Sequence, residues 1–271
     1  MLLNLKTIHK PATAEEAAGL LAGPGVYPLY GGAALHRANR TDVEAVLDLG
    51  QLGLDFVRDS ENSLRLGSML SLEAARQACL ERRDTHPQLG AVADTLAADL
   101  PLTLRNTMTL GDLLVERDPQ SLTLALLLVL GAVIKRVDVD MHFTMAAWLT
   151  ADSDVARYLI AGIQIPNGPA EAVIAFEKVA RTPADAPIVG AVGCRERSDD
   201  GVPYTTLALC GVAPAAVPQP EVARVLDETG DLDAALERLA VDPVGDHWGS
   251  REYRTEMARV LSRRVLARLM E

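Results

Sequence analysis

The run Leu122–Ile134, LTLALLLVLGAVI, constrains this chain more than any other segment. Apart from one threonine it is apolar all round, so a helix built from it leaves no face for water. It also falls short of the roughly 20 residues needed to cross a bilayer. Those two properties require a buried helix, here over Leu122–Val129 and ended by Gly131. The chain must enclose it. Its 271 residues, 49% of them hydrophobic, suffice for one large domain or two smaller ones. Disorder is excluded on the same ground.

Before that run the chain reads as short α/β units. Thr13 and Glu16 have capping-box spacing and open a helix to about Leu21. Gly23-Pro-Gly25 stops it, Val26–Tyr30 reads as a buried strand, and Gly31-Gly32 follows. Val46–Leu49 and Leu64–Gly67 read as strands, Ser71 opens a helix, and an Ala-rich helix runs from Pro87 to Leu100. Residues 102–110 read as a polar, turn-like connection, and Ala132–Val139 as a strand. Pro166-Asn-Gly-Pro169 is the clearest linker signal and marks the main boundary. Beyond it come three strands (Ala172–Val179, Ile188–Gly193, Tyr204–Val212) and helices over 221–227, 232–239 and 250–270. In the last helix Met257, Leu261, Val265 and Leu269 share a face, with Arg254, Arg259, Arg263 and Arg268 on others. Strands followed by helices make an α+β module.

The charge balance, 26 basic against 37 acidic residues and a net of −11, argues against wrapping nucleic acid. Only ten residues are aromatic, too few for wide stacking platforms. Cys79, Cys194 and Cys210 are far apart, with no CxxC pair, and the five histidines have no metal-ligand spacing. A metal centre held by this chain is not expected. The odd cysteine count suits a reducing compartment. The first residues carry no long apolar region or cleavage-like site, so the expectation is a soluble cytoplasmic protein without a membrane span.

Three segments could carry chemistry. Gly31-Gly32 is either a plain turn or a place where backbone N–H groups meet a phosphate without a Cβ in the way. Residues 104–112, Leu-Arg-Asn-Thr-Met-Thr-Leu-Gly-Asp, are either a self-satisfied polar connection or a second loop of that kind. Phe176-Glu-Lys178-Val-Ala-Arg181 holds cations at a strand end, where solvation is their usual fate.

Taken together and in order, the segments resemble the flavin-binding subunit of the molybdenum hydroxylases, the group containing carbon monoxide dehydrogenase and xanthine dehydrogenase. Tyr30-Gly-Gly-Ala-Ala-Leu35 is similar to the family's A-G-G-T-x-L phosphate loop. Leu104-Arg105-Asn106-Thr-Met-Thr109-Leu-Gly111-Asp-Leu113 resembles I-R-N-x-x-T-x-G-G-N, and Asp118-Pro119 matches a D-P step before a buried helix. Phe176-Glu-Lys178-x-x-Arg181-x-x-x-Asp185 is similar to Y-x-K-x-x-R-x-x-x-D. Leu209-Cys-Gly211-Val-Ala-Pro214 resembles the G-G-V-A-P turn, and Gly249-Ser250-x-x-Tyr253-Arg254 the closing helix.

The resemblance implies an α+β chain. Residues 1–166 would be a two-subdomain flavin-binding domain of the PCMH/vanillyl-alcohol-oxidase type, with subdomains of about 1–55 and 56–166. Residues 170–271 would form a C-terminal α+β domain with a three-stranded sheet and helices. It implies FAD as cofactor, electrons arriving from an iron–sulfur subunit, and a molybdopterin subunit in the same complex; a homo-oligomer is a further option. Gly31, Gly32, Ala33, Ala34 and Leu35 would offer backbone N–H groups to the diphosphate. Thr109, Gly111 and Asp112 would form the second loop, Asp118 would meet the ribityl or adenosine portion, and Lys178 would lie nearest the ring. No general acid or base is implied. The sequence departs from the pattern on these loops. Ala33 stands for the family's threonine, a loss of one charge-assisted hydrogen bond of about 1.5–3 kcal/mol. Asp112-Leu113 stands for Gly-Asn, and Leu122 for a second carboxylate. A paralogue that keeps the fold without the cofactor, as a structural or interaction subunit, is the alternative these departures leave open. A related scaffold holding another nucleotide or small ligand is a third.

Overall fold

The computed structural model describes residues 4–38, 40–139, 141–151, 154–183, 185–198 and 200–271. The chain runs β1 (Thr7–His9), α1 (Ala14–Leu21), β2 (Val26–Leu29), α2 (Ala33–Arg37), β3 (Ala45–Asp48), β4 (Val57–Ser60), β5 (Ser63–Gly67) and α3 (Leu72–Leu80). Next come α4 (Pro87–Asp99), α5 (Leu102–Thr107), α6 (Leu110–Glu116), α7 (Leu122–Val129), β6 (Val133–Arg136), β7 (His142–Thr144), α8 (Met145–Leu149) and β8 (Ile160–Pro166). The last part holds β9 (Val173–Val179), β10 (Val189–Arg197), β11 (Pro203–Cys210), β12 (Val217–Pro218), α9 (Pro220–Thr229), α10 (Leu232–Leu236) and α11 (Arg251–Met270). No described helix is long and apolar enough to cross a membrane.

Two compact units share these elements. The first comprises Met1–Ala75, Leu102–Arg117 and Ala132–Ile165. It holds a parallel sheet in the order β1-β3-β2 and a five-stranded sheet in the order β4-β5-β8-β6-β7. In the small sheet Thr7 and Val26 both pair with Ala45, which places the β2 end directly before the glycine pair. Tyr27, Leu35, Val43 and Val46 pack together as its core. Beside the larger sheet Trp148 of α8 is fully buried, its indole N–H donates to the Leu114 carbonyl at 2.7 Å, and its ring meets those of Phe143 and Tyr158.

The second unit comprises Arg76–Pro101, Asp118–Gly131 and Pro166–Glu271. The three strands expected after residue 170 form an antiparallel array, β9-β10-β11, extended by the two-residue β12. Val189, Ala191, Leu207 and Leu209 present one core face to Val222, Leu226, Leu261, Val265 and Leu269 of the helices. The apolar run is buried as its composition requires, with Leu122, Leu124, Ala125 and Leu126 all at 0% exposure. Its first turn is held by Asp99, which accepts from Ser121 Oγ at 2.8 Å and from the Leu122 and Thr123 amides at 2.9 and 2.8 Å. Burial pushes the Asp99 carboxyl above its ordinary range.

Three local expectations change. Residues 102–110 are not a bare connection, because α5 and the start of α6 occupy them. The β6 strand ends at Arg136, where the guanidinium turns back onto Asp138. Arg254, expected on an outer face of the last helix, is buried at 3% exposure, whereas Arg259, Arg263 and Arg268 are exposed.

Candidate functional site: two loops joined by a carboxylate

Within the first unit the glycine pair and the 104–113 segment come together. Gly31 and Gly32 follow β2, and Gly32 takes a φ of +91°, in the left-handed region that a side chain resists. Ala33–Arg37 then forms α2, whose N-cap glycine has no side chain to offer the free amides. Asp112 supplies what Gly32 lacks. Its Oδ1 accepts from the Ala34 amide at 3.2 Å, across 78 residues of sequence. Its Oδ2 accepts from the Thr109 amide at 3.1 Å, while Thr109 Oγ1 accepts from the Asp112 amide at 3.2 Å. Thr109 and Asp112 thus form the capping box that starts α6. The carboxylate is 1% exposed. An ion pair between Arg37 and Glu116 joins the same two helices farther along.

Glycine is required at both contact points. A Cβ on Gly31 would overlap Asp112 Oδ2 and sit 3.0 Å from the Thr107 carbonyl oxygen. A Cβ on Gly111 would overlap the Tyr30 ring. Tyr30 in turn donates its hydroxyl to the Tyr158 carbonyl at 2.7 Å and accepts from the Ile160 amide at 2.7 Å. Burial raises its phenol well above the ordinary value, so it stays a neutral donor. The Gly111 amide donates to the Ser68 carbonyl at 2.8 Å, and Ser68 Oγ donates to the Ile160 carbonyl at 2.7 Å. Tyr30 and Ser68 therefore position both loops against β8. Neither stood out in sequence; the only signal was an aromatic residue directly before a glycine pair. Arg105 of the R-N motif pairs with Glu73 at 2.7 Å.

Of the ten residues singled out in sequence, Gly31, Gly32, Ala33, Ala34, Leu35, Thr109, Gly111 and Asp112 lie in this first unit. Leu35 faces the core of the small sheet, so only its backbone is available to a ligand. Asp118 and Lys178 belong to the second unit. Asp118 Oδ1 accepts from the Gln120 amide at 2.9 Å and shapes the turn into α7. Lys178 Nζ donates to the carbonyls of Ala98 at 2.6 Å and Asp185 at 2.9 Å, and desolvation lowers its pKa. In the same unit a cavity of about 280 Å³ gathers Pro119, the Gly211–Pro214 turn, Asp246 and Arg254, residues of three separate motif pieces.

The paired loops suit a dinucleotide diphosphate in kind. They approach through backbone and small side chains, and the Ala34 amide already donates to a carboxylate oxygen. An N–H so placed can serve a phosphate oxygen as readily as a carboxylate.

Comparison with known proteins agrees with this geometry. Residues 4–168 match the model of the FAD binding domain in molybdopterin dehydrogenase. The carbon monoxide dehydrogenase medium chain of Afipia carboxidovorans is 26% identical over 290 positions, covering 96% of this chain and 95% of that one. Reconstituted CO dehydrogenase from Oligotropha carboxidovorans superposes with a TM-score of 0.84 at 25% identity over 99% of each chain. The carbon monoxide dehydrogenase of Hydrogenophaga pseudoflava shares the fold with a TM-score of 0.85 at 21% identity, covering 100% of this chain and 99% of that one. The chain belongs to the family of FAD-binding domains of molybdopterin dehydrogenases, the medium-subunit family of the molybdenum hydroxylases, and its cofactor is FAD.

Proposed function

We propose that this chain is the electron-transferring flavin subunit of a molybdenum hydroxylase complex. It would take electrons from iron–sulfur clusters on a partner subunit and deliver them to an acceptor, with the molybdopterin centre on a third subunit and the complex in the cytoplasm. The observation that carries this reading is length: the match to a carbon monoxide dehydrogenase medium chain spans nearly all of both proteins. FAD, when bound, supplies the redox chemistry, because it can exchange electrons singly or in pairs.

The protein's part is binding and placement. Backbone N–H groups of Gly31–Leu35 would face the diphosphate, with charge-assisted bonds of about 1.5–3 kcal/mol each. Thr109 and Gly111 would shape the second loop, and Tyr30 would keep both in register. No side chain here need move a proton, in keeping with an electron relay.

The test is uptake and coupling. The purified chain should take up one FAD, read by quenching of flavin fluorescence. Reconstituted with a two-cluster iron–sulfur subunit whose clusters have been reduced with dithionite and freed of excess reductant, it should pass those electrons to an added acceptor. A colourless protein that takes up no FAD would return the cofactor-free interaction subunit as the better reading.

A further inference from the structure

We propose that Asp112 is a built-in competitor of the cofactor: its carboxylate holds the Ala34 amide, and a diphosphate oxygen must displace it to bind there. The inference rests on the FAD reading of the Gly31–Leu35 loop and adds to it the residue that sets its affinity. Three observations lead to it. The Asp112 Oδ1 to Ala34 N–H bond is a polar side-chain link from the second loop to the glycine loop. Asp112 is 1% exposed, so its charge is not spread into water. The Gly31 Cα hydrogens face Asp112 Oδ2 so closely that a methyl group would overlap it.

Two anions cannot share one amide. With Asp112 in place, a diphosphate brought to this loop meets a buried like charge and finds one donor already taken. When Asp112 turns away, it gives up its bonds to Thr109 and Ala34 together, and α6 loses half of its capping box. Cofactor affinity and the order of α6 are therefore linked through one side chain. The same bond gives α2 a side-chain cap that Gly32 cannot supply.

The experiment compares the full chain with Asp112→Asn and Asp112→Gly. Each is titrated with FAD by fluorescence quenching, and each is melted without ligand. Both variants should bind FAD at least tenfold more tightly than the parent chain, while their ligand-free melting temperatures fall or stay level. A gain in affinity without a gain in stability is what a plain cap would not produce. If variants that melt cooperatively bind FAD no more tightly than a parent chain that does bind it, the competitor role is overturned and the FAD reading stands. If none of the three binds FAD while all melt cooperatively, the FAD reading of the loop is itself overturned, and the inference with it. Should the glycine variant fail to fold, the near-isosteric asparagine variant decides: its single side-chain oxygen can stay on Thr109, while the charge and the acceptor that faces Ala34 are both gone.

Discussion

Arg254 ties three separate chain segments together from inside the second unit. Its Nη1 donates to the carbonyls of Ile188 at 2.6 Å and Gly211 at 2.7 Å, and its Nη2 grips both oxygens of Asp246 at 2.8 and 2.9 Å. Removing it leaves two carbonyls without their donor, so Arg254→Met should cost about 2–4 kcal/mol in urea unfolding. A second readout separates charge from packing. The Arg254 guanidinium, with help from the Trp248 and Gly249 amides, holds the Asp246 carboxyl at about 2. A carboxyl depressed in the fold binds its proton later than in the unfolded chain. Its contribution is thus present above the ordinary value of about 3.9 and is lost as pH falls from there toward about 2. That acid limb should shrink in Arg254→Met, and an unchanged limb would mean the pair does not act as drawn. Arg254 was not legible as a buried residue. Helical spacing placed it away from the apolar stripe of α11, and only the carbonyls of residues 43 and 66 positions away draw it inward.

Elements with a strong pattern were readable: α7 from its unbroken apolar run, α1 from its capping box, and β9 to β11 from their composition and the turns between them. Short ones were not. β1, β7 and α8 have three to five residues each, too few for a period to show. α5 and α6 were hidden by an Arg/Asn/Thr-rich sequence that looks like a loop until Thr109 and Asp112 are seen to cap one another. The resemblance brought the two loops onto one page, but the bond between them could not be read. Nothing in a sequence says that a carboxylate will reach an amide 78 residues away. That closeness can be tested by a double-mutant cycle. Gly31→Ala should destabilise the chain, because its methyl group meets Asp112 and the Thr107 carbonyl. In an Asp112→Gly background the cost should drop by about 1 kcal/mol, the coupling expected of residues in contact. Additive effects would show that the two loops do not touch.

The chain passes between its two compact units five times, and α4 and α7 count with the sheet that comes after them. That membership is a tertiary fact, invisible to any reading that moves along the sequence. It has a practical outcome. A fragment ending at residue 168 would keep α7 but lose β10 and β11, the strands that α7 packs against. Such a fragment should aggregate on size exclusion and bind ANS strongly, and a monodisperse fragment with a cooperative melt would refute this. The same arrangement sets a timetable in the cell. About sixty residues separate the end of α7 from the start of β10, so at 5–20 residues per second the ribosome holds out an apolar helix covered only by α4 for about 3–12 s before its strands arrive. Output of this protein should therefore depend on chaperone supply during synthesis more than on the stability of the finished fold.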